Sequence, residues 1–329
     1  MRRIALLVAL VAVASASAGS VPPVGEVVGT LRFPVRETEL FAARNGTLFA
    51  LVLPESYGHH FTVVRMDRDG SLSRRQLRFS LTPYLWDVVA GPDGVYAGTC
   101  VVQRFTRARD QLLRIDPKTL TVRARAFFSG MVTLVTRGSR LWATIGDGDV
   151  LLLSPRTLAI QARRHVVSPM PGEEAPLYSP AIGLGSLWVL VNGRRDMTLV
   201  RLDPTTLAIR SRTRLRRDLA DKVDQVVAGP RGVFLVGYAI ASVDARGRIG
   251  RTIPEPDLGA AAVYGAGLVG VTPSGVELLD ARGRLRARTR LRDAGNPLAR
   301  DGSDLWLTGN AGRGNGLVHI RLAAALPSS

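Results

Sequence analysis

Arg114-Ile115-Asp116-Pro117-Lys118-Thr119-Leu120 returns further along the chain as Arg201-Leu202-Asp203-Pro204-Thr205-Thr206-Leu207. Degenerate copies put the Asp position at Asp67, Asp116, Ser154, Asp203, Asp244 and Asp280, with Arg321 in a seventh, weakest copy. A second phrase, small then apolar then bulky, puts its third residue at Phe49, Tyr96, Trp142, Trp188, Phe234, Val269 and Trp306. The two ladders interleave with a mean period of about 42 to 43 residues, the length of one four-stranded propeller blade. The spacing therefore predicts an all-β fold, a seven-bladed β-propeller of four-stranded antiparallel blades.

Strand patterning inside each unit agrees with the period. A short small-residue run such as Gln225 to Gly229 suits the crowded innermost strand, and apolar runs such as Leu187 to Val191 and Leu199 to Leu202 suit strands covered on both faces. Alternating runs such as Ile209 to Leu215, and Leu285 to Arg292 most clearly, suit an outermost strand with one wet side. The last unit lacks an outer strand, while Glu26 to Phe33 is a strand-like run preceding the first unit. This N-terminal strand is expected to close the ring as the outer strand of the seventh blade. A rival reading of Leu219 to Val227 is a short helix, because Leu219, Val223, Val226 and Val227 fit one helical face.

The chain has 329 residues, 22% charged and 46% hydrophobic, a globular composition that excludes long disorder and coiled coil. Its charge is unusual: Lys and Arg total 44 against 27 acidic residues, a net of +17, and Lys118 and Lys222 are the only lysines. The single cysteine, Cys100, excludes an intrachain disulfide and any cysteine-based zinc or iron–sulfur cluster. Residues 1–18 combine Arg2 and Arg3, an apolar run from Ile4 and the step Ala16-Ser17-Ala18, which reads as a signal peptide cleaved after Ala18. Residues 19–329 are then one exported propeller domain, and no stretch is apolar for long enough to span a membrane.

The Leu-Trp-Val/Ala phrase followed by Arg-Ile/Leu-Asp-Pro-x-Thr resembles the exported bacterial YVTN-type propellers, a group overlapping in style with streptogramin-lyase-like propellers. Trp142-Ala143-Thr144 and Trp188-Val189-Leu190-Val191-Asn192 come nearest to the family's Tyr-Val-Thr-Asn. The resemblance covers nearly all of the mature chain and implies the fold rather than an activity.

Most motifs have a structural explanation. Asp-Pro-x-Thr is turn chemistry: Asp caps, Pro presets φ, and Thr returns the chain to β structure. Asp67-Arg68-Asp69-Gly70 and Asp147-Gly148-Asp149 lack the ligand spacing of a calcium loop and read as hairpin turns, as does Asn45-Gly46. Gly309 to Gly316 lacks the helix that a phosphate cradle needs. Cys100 reads as a small core residue, and His319 as core or rim. His59, His60, His165 and His319 supply no metal pair by spacing, so no metal site and no cofactor are predicted. Arg123 and Arg125; Arg210, Arg212 and Arg214; and Arg286, Arg288, Arg290 and Arg292 recur at period two, which places them on wet blade edges where charge deters strand pairing. The alternative reading is a functional basic rim that binds acidic cell-envelope polymers or nucleic acid; no aromatics interleave with the arginines, so specific nucleic-acid recognition is not expected.

Function is expected on the face where interblade loops and loops between second and third strands open together. Those loops are Pro54 to His60, Gln103 to Asp110, Ser168 to Tyr178, Asn192 to Asp196, Arg216 to Asp224 and Asn310 to Gly316. Candidate binding residues are Glu55, Tyr57, His59, His60, Glu173, Glu174, Tyr178, Arg194, Arg195 and Asp224. The leading expectation is a monomeric, non-catalytic exported propeller binding a protein or cell-envelope ligand. The alternative is a lyase or hydrolase of the streptogramin-lyase-like type, with a His and a carboxylate at the channel mouth. Late blades offer only the separated Glu255, Glu277 and His319, which counts against that alternative. A quinone-dependent dehydrogenase fits less well, since an adjacent cysteine pair is missing.

Overall fold

The computed structural model describes residues 22–31, 39–53, 58–103, 106–168, 180–192, 196–254, 258–310 and 315–323. Residues 1–18, read from the sequence as a signal peptide, lie outside them. β1 (Gly25–Leu31) opens the described chain. Blade one is β2 (Glu39–Arg44), β3 (Thr47–Val52), β4 (His60–Met66) and β5 (Leu72–Arg78). Blade two is β6 (Pro83–Gly91), β7 (Gly94–Gln103), β8 (Thr106–Ile115) and β9 (Val122–Phe128). Blade three is β10 (Val132–Arg137), β11 (Arg140–Ile145), β12 (Asp149–Leu153) and β13 (Ile160–His165). Blade four is β14 (Ala181–Gly183), β15 (Ser186–Asn192), β16 (Met197–Leu202) and β17 (Ile209–Arg214), followed by α1 (Arg217–Ala220). Blade five is β18 (Val223–Ala228), β19 (Val233–Gly237), β20 (Ala239–Val243) and β21 (Ile249–Pro254). Blade six is β22 (Ala260–Tyr264), β23 (Gly267–Thr272), β24 (Gly275–Leu279) and β25 (Leu285–Arg290). Blade seven is β26 (Arg292–Asp301), β27 (Asp304–Asn310) and β28 (Asn315–Leu322).

Each blade is a four-stranded antiparallel sheet, and β1 pairs with β28 as the outermost strand of blade seven. The molecule is a seven-bladed β-propeller closed by its N-terminal strand, and its innermost strands adjoin all the way round the ring. Middle strands such as β12, β19, β23 and β24 are buried at every residue, because neighbouring blades cover both faces. Outer strands such as β9 and β17 alternate between half-buried and exposed.

Both sequence ladders have a structural basis. The bulky residues sit on second strands, and the Asp positions follow third strands. Asp116 Oδ1 accepts from the N–H groups of Lys118 and Thr119, and Asp203 Oδ1 does the same for Thr205 and Thr206. Leu120, Leu158 and Leu207 complete these turns in the left-handed region. The shorter turns at Asp67, Asp244 and Asp280 put Gly70, Gly247 and Gly283 there instead. The ladders also meet: Tyr96 Oη donates to Pro155 O at 3.0 Å, and Trp142 Nε1 donates to Pro204 O at 2.9 Å, each reaching the next blade's turn.

Two expectations change, and the rival helical reading of Leu219 to Val227 is not what forms. Only Arg217–Ala220 is helical, and Val223–Ala228 is the innermost strand of blade five. The segment from Gln103 to Asp110 is not a long loop, because β7 runs to Gln103 and β8 starts at Thr106 with the two paired. Arg292 opens β26 of the next blade rather than ending an outer strand.

Candidate functional site

Strand order puts the first residues of every innermost strand on the loop-rich face. On three innermost strands the pairing slips near that end: β6 between Leu85 and Asp87, β18 between Val223 and Gln225, and β26 between Arg292 and Leu298. Such bulges re-aim side chains and are common beside functional sites. The extra residue is Trp86 in β6 and Asp224 in β18. Trp86 is 37% exposed, and its Nε1 donates at 2.7 Å to the buried Asp110, a charge-assisted bond that fixes the ring. Tyr84, two residues earlier, is 41% exposed. Phe127, at the loop end of β9, is 62% exposed, and Tyr238, in the turn between β19 and β20, is 68% exposed. All four exposed aromatics among the described residues therefore sit at the loop-rich end. The exposed aliphatics Leu72, Ile160 and Ile209 begin outer strands at the opposite face.

A second cluster lies on blade three at the same face. Asp149 opens β12 and is 1% exposed; its Oδ1 stands 2.7 Å from His165 Nδ1, and His165 Nε2 stands 3.0 Å from Ser168 Oγ. If Nδ1 donates to Asp149, Nε2 of a neutral ring is the acceptor for the Ser168 hydroxyl. Arg163 joins Asp149 Oδ2 and also reaches Asp147 at 3.2 Å. Burial and the neighbouring Asp149 hold the Asp147 carboxyl above its ordinary value, opposed by Arg163.

Of the sequence candidates, His59 is exposed and its carbonyl accepts from Phe79 N–H at 2.6 Å, while His60 is half-buried and opens β4 opposite Arg78. Asp224 is exposed on its bulge, with a carboxyl that desolvation raises above the usual range. These residues share the expected face but belong to blades one and five. Glu55, Tyr57, Glu173, Glu174, Tyr178, Arg194 and Arg195 lie outside the described residues. Among the described residues, no group of three His, Cys, Asp or Glu side chains could hold a metal ion, and no helix is long and apolar enough to cross a membrane.

Sequence reasoning missed Tyr84, Trp86, Phe127 and Tyr238, and it treated Asp149 and His165 separately. One signal was present: Pro83-Tyr84-Leu85-Trp86 puts two aromatics at the start of an innermost strand, where blade six has Ala260-Ala261-Ala262.

No family model and no curated protein matches the chain. Solved structures do. The crystal structure of BamB from Moraxella catarrhalis is 12% identical, covering 90% of this chain and 100% of its own, with a TM-score of 0.58. A chain of the crystal structure of the Mitotic Checkpoint Complex is also 12% identical, covering 95% of this chain and 100% of its own, with a TM-score of 0.64. At such identities the likeness is one of fold, and it places the chain among β-propellers.

Proposed function

We propose that this protein is an exported, monomeric propeller of the YVTN-type group that binds a partner protein across its loop-rich face. Tyr84, Trp86 and Tyr238 serve as anchors, with His59, His60 and Asp224 on the same face. The observation that carries the reading is the segregation of exposed aromatics to one face, since partially buried aromatics are the side chains that dominate binding energy. Residues 1–18, with their basic start and small-residue end, support export. The test is cross-linking in the secreted fraction of the source cells, comparing wild type with Tyr84→Ser/Trp86→Ser/Tyr238→Ser and with Leu72→Ser/Ile160→Ser/Ile209→Ser. The aromatic variant is expected to lose its cross-linked partner by about tenfold or more, and the aliphatic variant to keep it. Equal retention by both removes the reading.

The relay on blade three supports a second, hydrolytic reading. Attack by Ser168 Oγ on an ester carbonyl would pass its proton to His165 Nε2, while Asp149 stabilises the imidazolium formed. A fluorophosphonate probe is expected to label wild type and not Ser168→Ala or His165→Ala. Absence of labelling in wild type rejects hydrolysis and leaves the binding reading intact.

A further inference from the structure

The positive charge is not spread evenly over the blade edges. In most blades an arginine near the start of the outer strand closes onto the turn aspartate: Arg123 on Asp116 at 3.3 Å, Arg248 on Asp244 at 2.7 Å, Arg286 on Asp280 at 2.7 Å, and Arg210 on Asp203. Others pair further along, Arg288 with the buried Glu277 at 2.6 Å and Arg214 with Asp196. Arg123, Arg210 and Arg286 of the period-two arginines thus complete the turns that build the blades. Blade one differs. Its turn aspartate, Asp67, is taken by Arg65 of β4 at 2.8 Å. Arg74, Arg75 and Arg78 of β5 then have no carboxylate among the described residues.

Register fixes where these side chains go. Arg75 lies opposite Val63 and Leu77 opposite Phe61, on the face whose core residues pack against blade two. Arg125 of β9 lies opposite Leu113, in the same core. Arg75 and Arg125 therefore enter one cleft from opposite walls. The cleft has a volume of about 430 Å³, and Arg75, Leu77, Arg78, Val122 and Arg125 line it. Arg125 is oriented by Phe79, its guanidinium carbon 5.9 Å from the ring centroid, and Arg75 donates to Thr119 O at 3.4 Å. Phe127, on the same face of β9 as Arg125, stands two residues further along the strand and is exposed. One edge of β5 has no strand beside it.

We propose that the cleft between blades one and two binds an extended acidic peptide segment, which adds to the free edge of β5 as a fifth strand and sets alternate carboxylates against Arg75 and Arg125. The open edge offers N–H and C=O groups that a peptide backbone satisfies. Strand geometry then sends every second side chain into the cleft, where guanidinium–carboxylate bonds form beside the apolar floor of Leu77 and Val122. The arginines that deter pairing with another copy of this basic edge select a strand of opposite charge.

The test uses a fluorescein-labelled peptide of alternating Glu and Val, titrated by anisotropy against the full chain. Arg75→Gln/Arg78→Gln/Arg125→Gln is expected to weaken binding about tenfold or more. Arg231→Gln/Arg251→Gln/Arg290→Gln removes the same charge from exposed sites on blades five and six and is expected to change binding less than about twofold. N-methylation of alternate peptide residues is expected to abolish binding, because it blocks strand addition. The proposal is overturned if wild type does not bind the peptide, or if both triple variants weaken it equally. It is also overturned if the N-methylated peptide, or polyphosphate of matched charge, competes as well as the parent peptide. Arg125→Gln alone, at the opposite wall from β5, is expected to weaken binding while preserving the melting curve, so the outcome does not depend on the triple variant folding.

Discussion

A single carboxylate explains the most conspicuous phrase in the sequence. In the turn after β8, Asp116 accepts from two backbone N–H groups and meets Arg123; hydrogen bonds from Thr119 and Lys118 hold its pKa down at about 2, despite some desolvation. The turn chemistry was legible because it is local. Asp87 is the opposite case. Wedged between the innermost strands of blades two and three, it accepts from Leu134 N–H at 2.6 Å and Val88 N–H at 2.7 Å. Desolvation outweighs those bonds and pushes its carboxyl up to about 7. A carboxyl whose folded pKa is raised binds its proton more tightly in the folded chain, so its contribution to stability falls as pH rises from the unfolded value towards 7. Wild-type stability to urea is expected to decline between about pH 4 and pH 7 on account of Asp87, and Asp87→Asn to flatten that decline. Parallel pH profiles would mean that Asp87 ionises in the folded protein at its ordinary value. Nothing near Asp87 in sequence announces this, because its partner Leu134 belongs to the next blade.

Element by element, the sequence reading succeeded on the middle and outer strands and missed the side chain that a bulge displaces in the innermost strand β6. All-buried middle strands and alternating outer strands follow from coverage by neighbouring blades, so hydrophobic pattern alone located them. The rival helical reading of Leu219 to Val227, set aside by the strand reading of Gln225 to Gly229, has a definite cause. Leu219, Val223 and Val226 bury in one core, and the extra residue Asp224 makes Val223 and Val226 share a face three residues apart. A bulged strand thus imitates helical spacing. The same shift in β6 brings Leu85 and Val88 into one core and displaces Trp86 to the surface. The bulge in β6 therefore hid Trp86 in particular, since it breaks the period on which the reading relied. The hairpin of β7 and β8 was missed for another reason: its polar residues read as loop, whereas backbone pairing continues to Gln103 and Thr106 whatever the side chains. The relay of Asp149, His165 and Ser168 was illegible because pairing of β12 with β13 brings Asp149 opposite His165 across a hairpin.

At the scale of the molecule, a ring of blades has one place where chain continuity does not hold neighbouring strands together, and here β1 closes it. The N-terminal segment does more than complete blade seven. Pro22 O accepts from Arg288 N–H at 2.8 Å and Val24 N–H donates to Thr289 Oγ1 at 3.0 Å, so the segment also fastens blade six. Val24 O accepts from Ala323 N–H at 3.0 Å, and Val24 is 1% exposed. Gly25 sits at the tightest point: a Cβ there would meet Arg321 O at 2.2 Å, a clash with backbone that no side-chain rotation relieves. Gly29, on the same strand, has open space where its Cβ would stand. Gly25→Ala is therefore expected to destabilise the protein by about 1–3 kcal/mol, the range for overpacking, while Gly29→Ala changes stability little. Deleting residues 25–31 leaves the outer edge of β28 bare in blade seven and is expected to abolish the single cooperative urea transition, because each blade buries its faces against its neighbours. Equal effects of Gly25→Ala and Gly29→Ala, or an unchanged transition after deletion, would show that the ring closes without β1. The measurement also separates closure from binding, since the cleft between blades one and two is lined by β5, β9 and Thr121 rather than by β1, and keeps its arginines in both alanine variants.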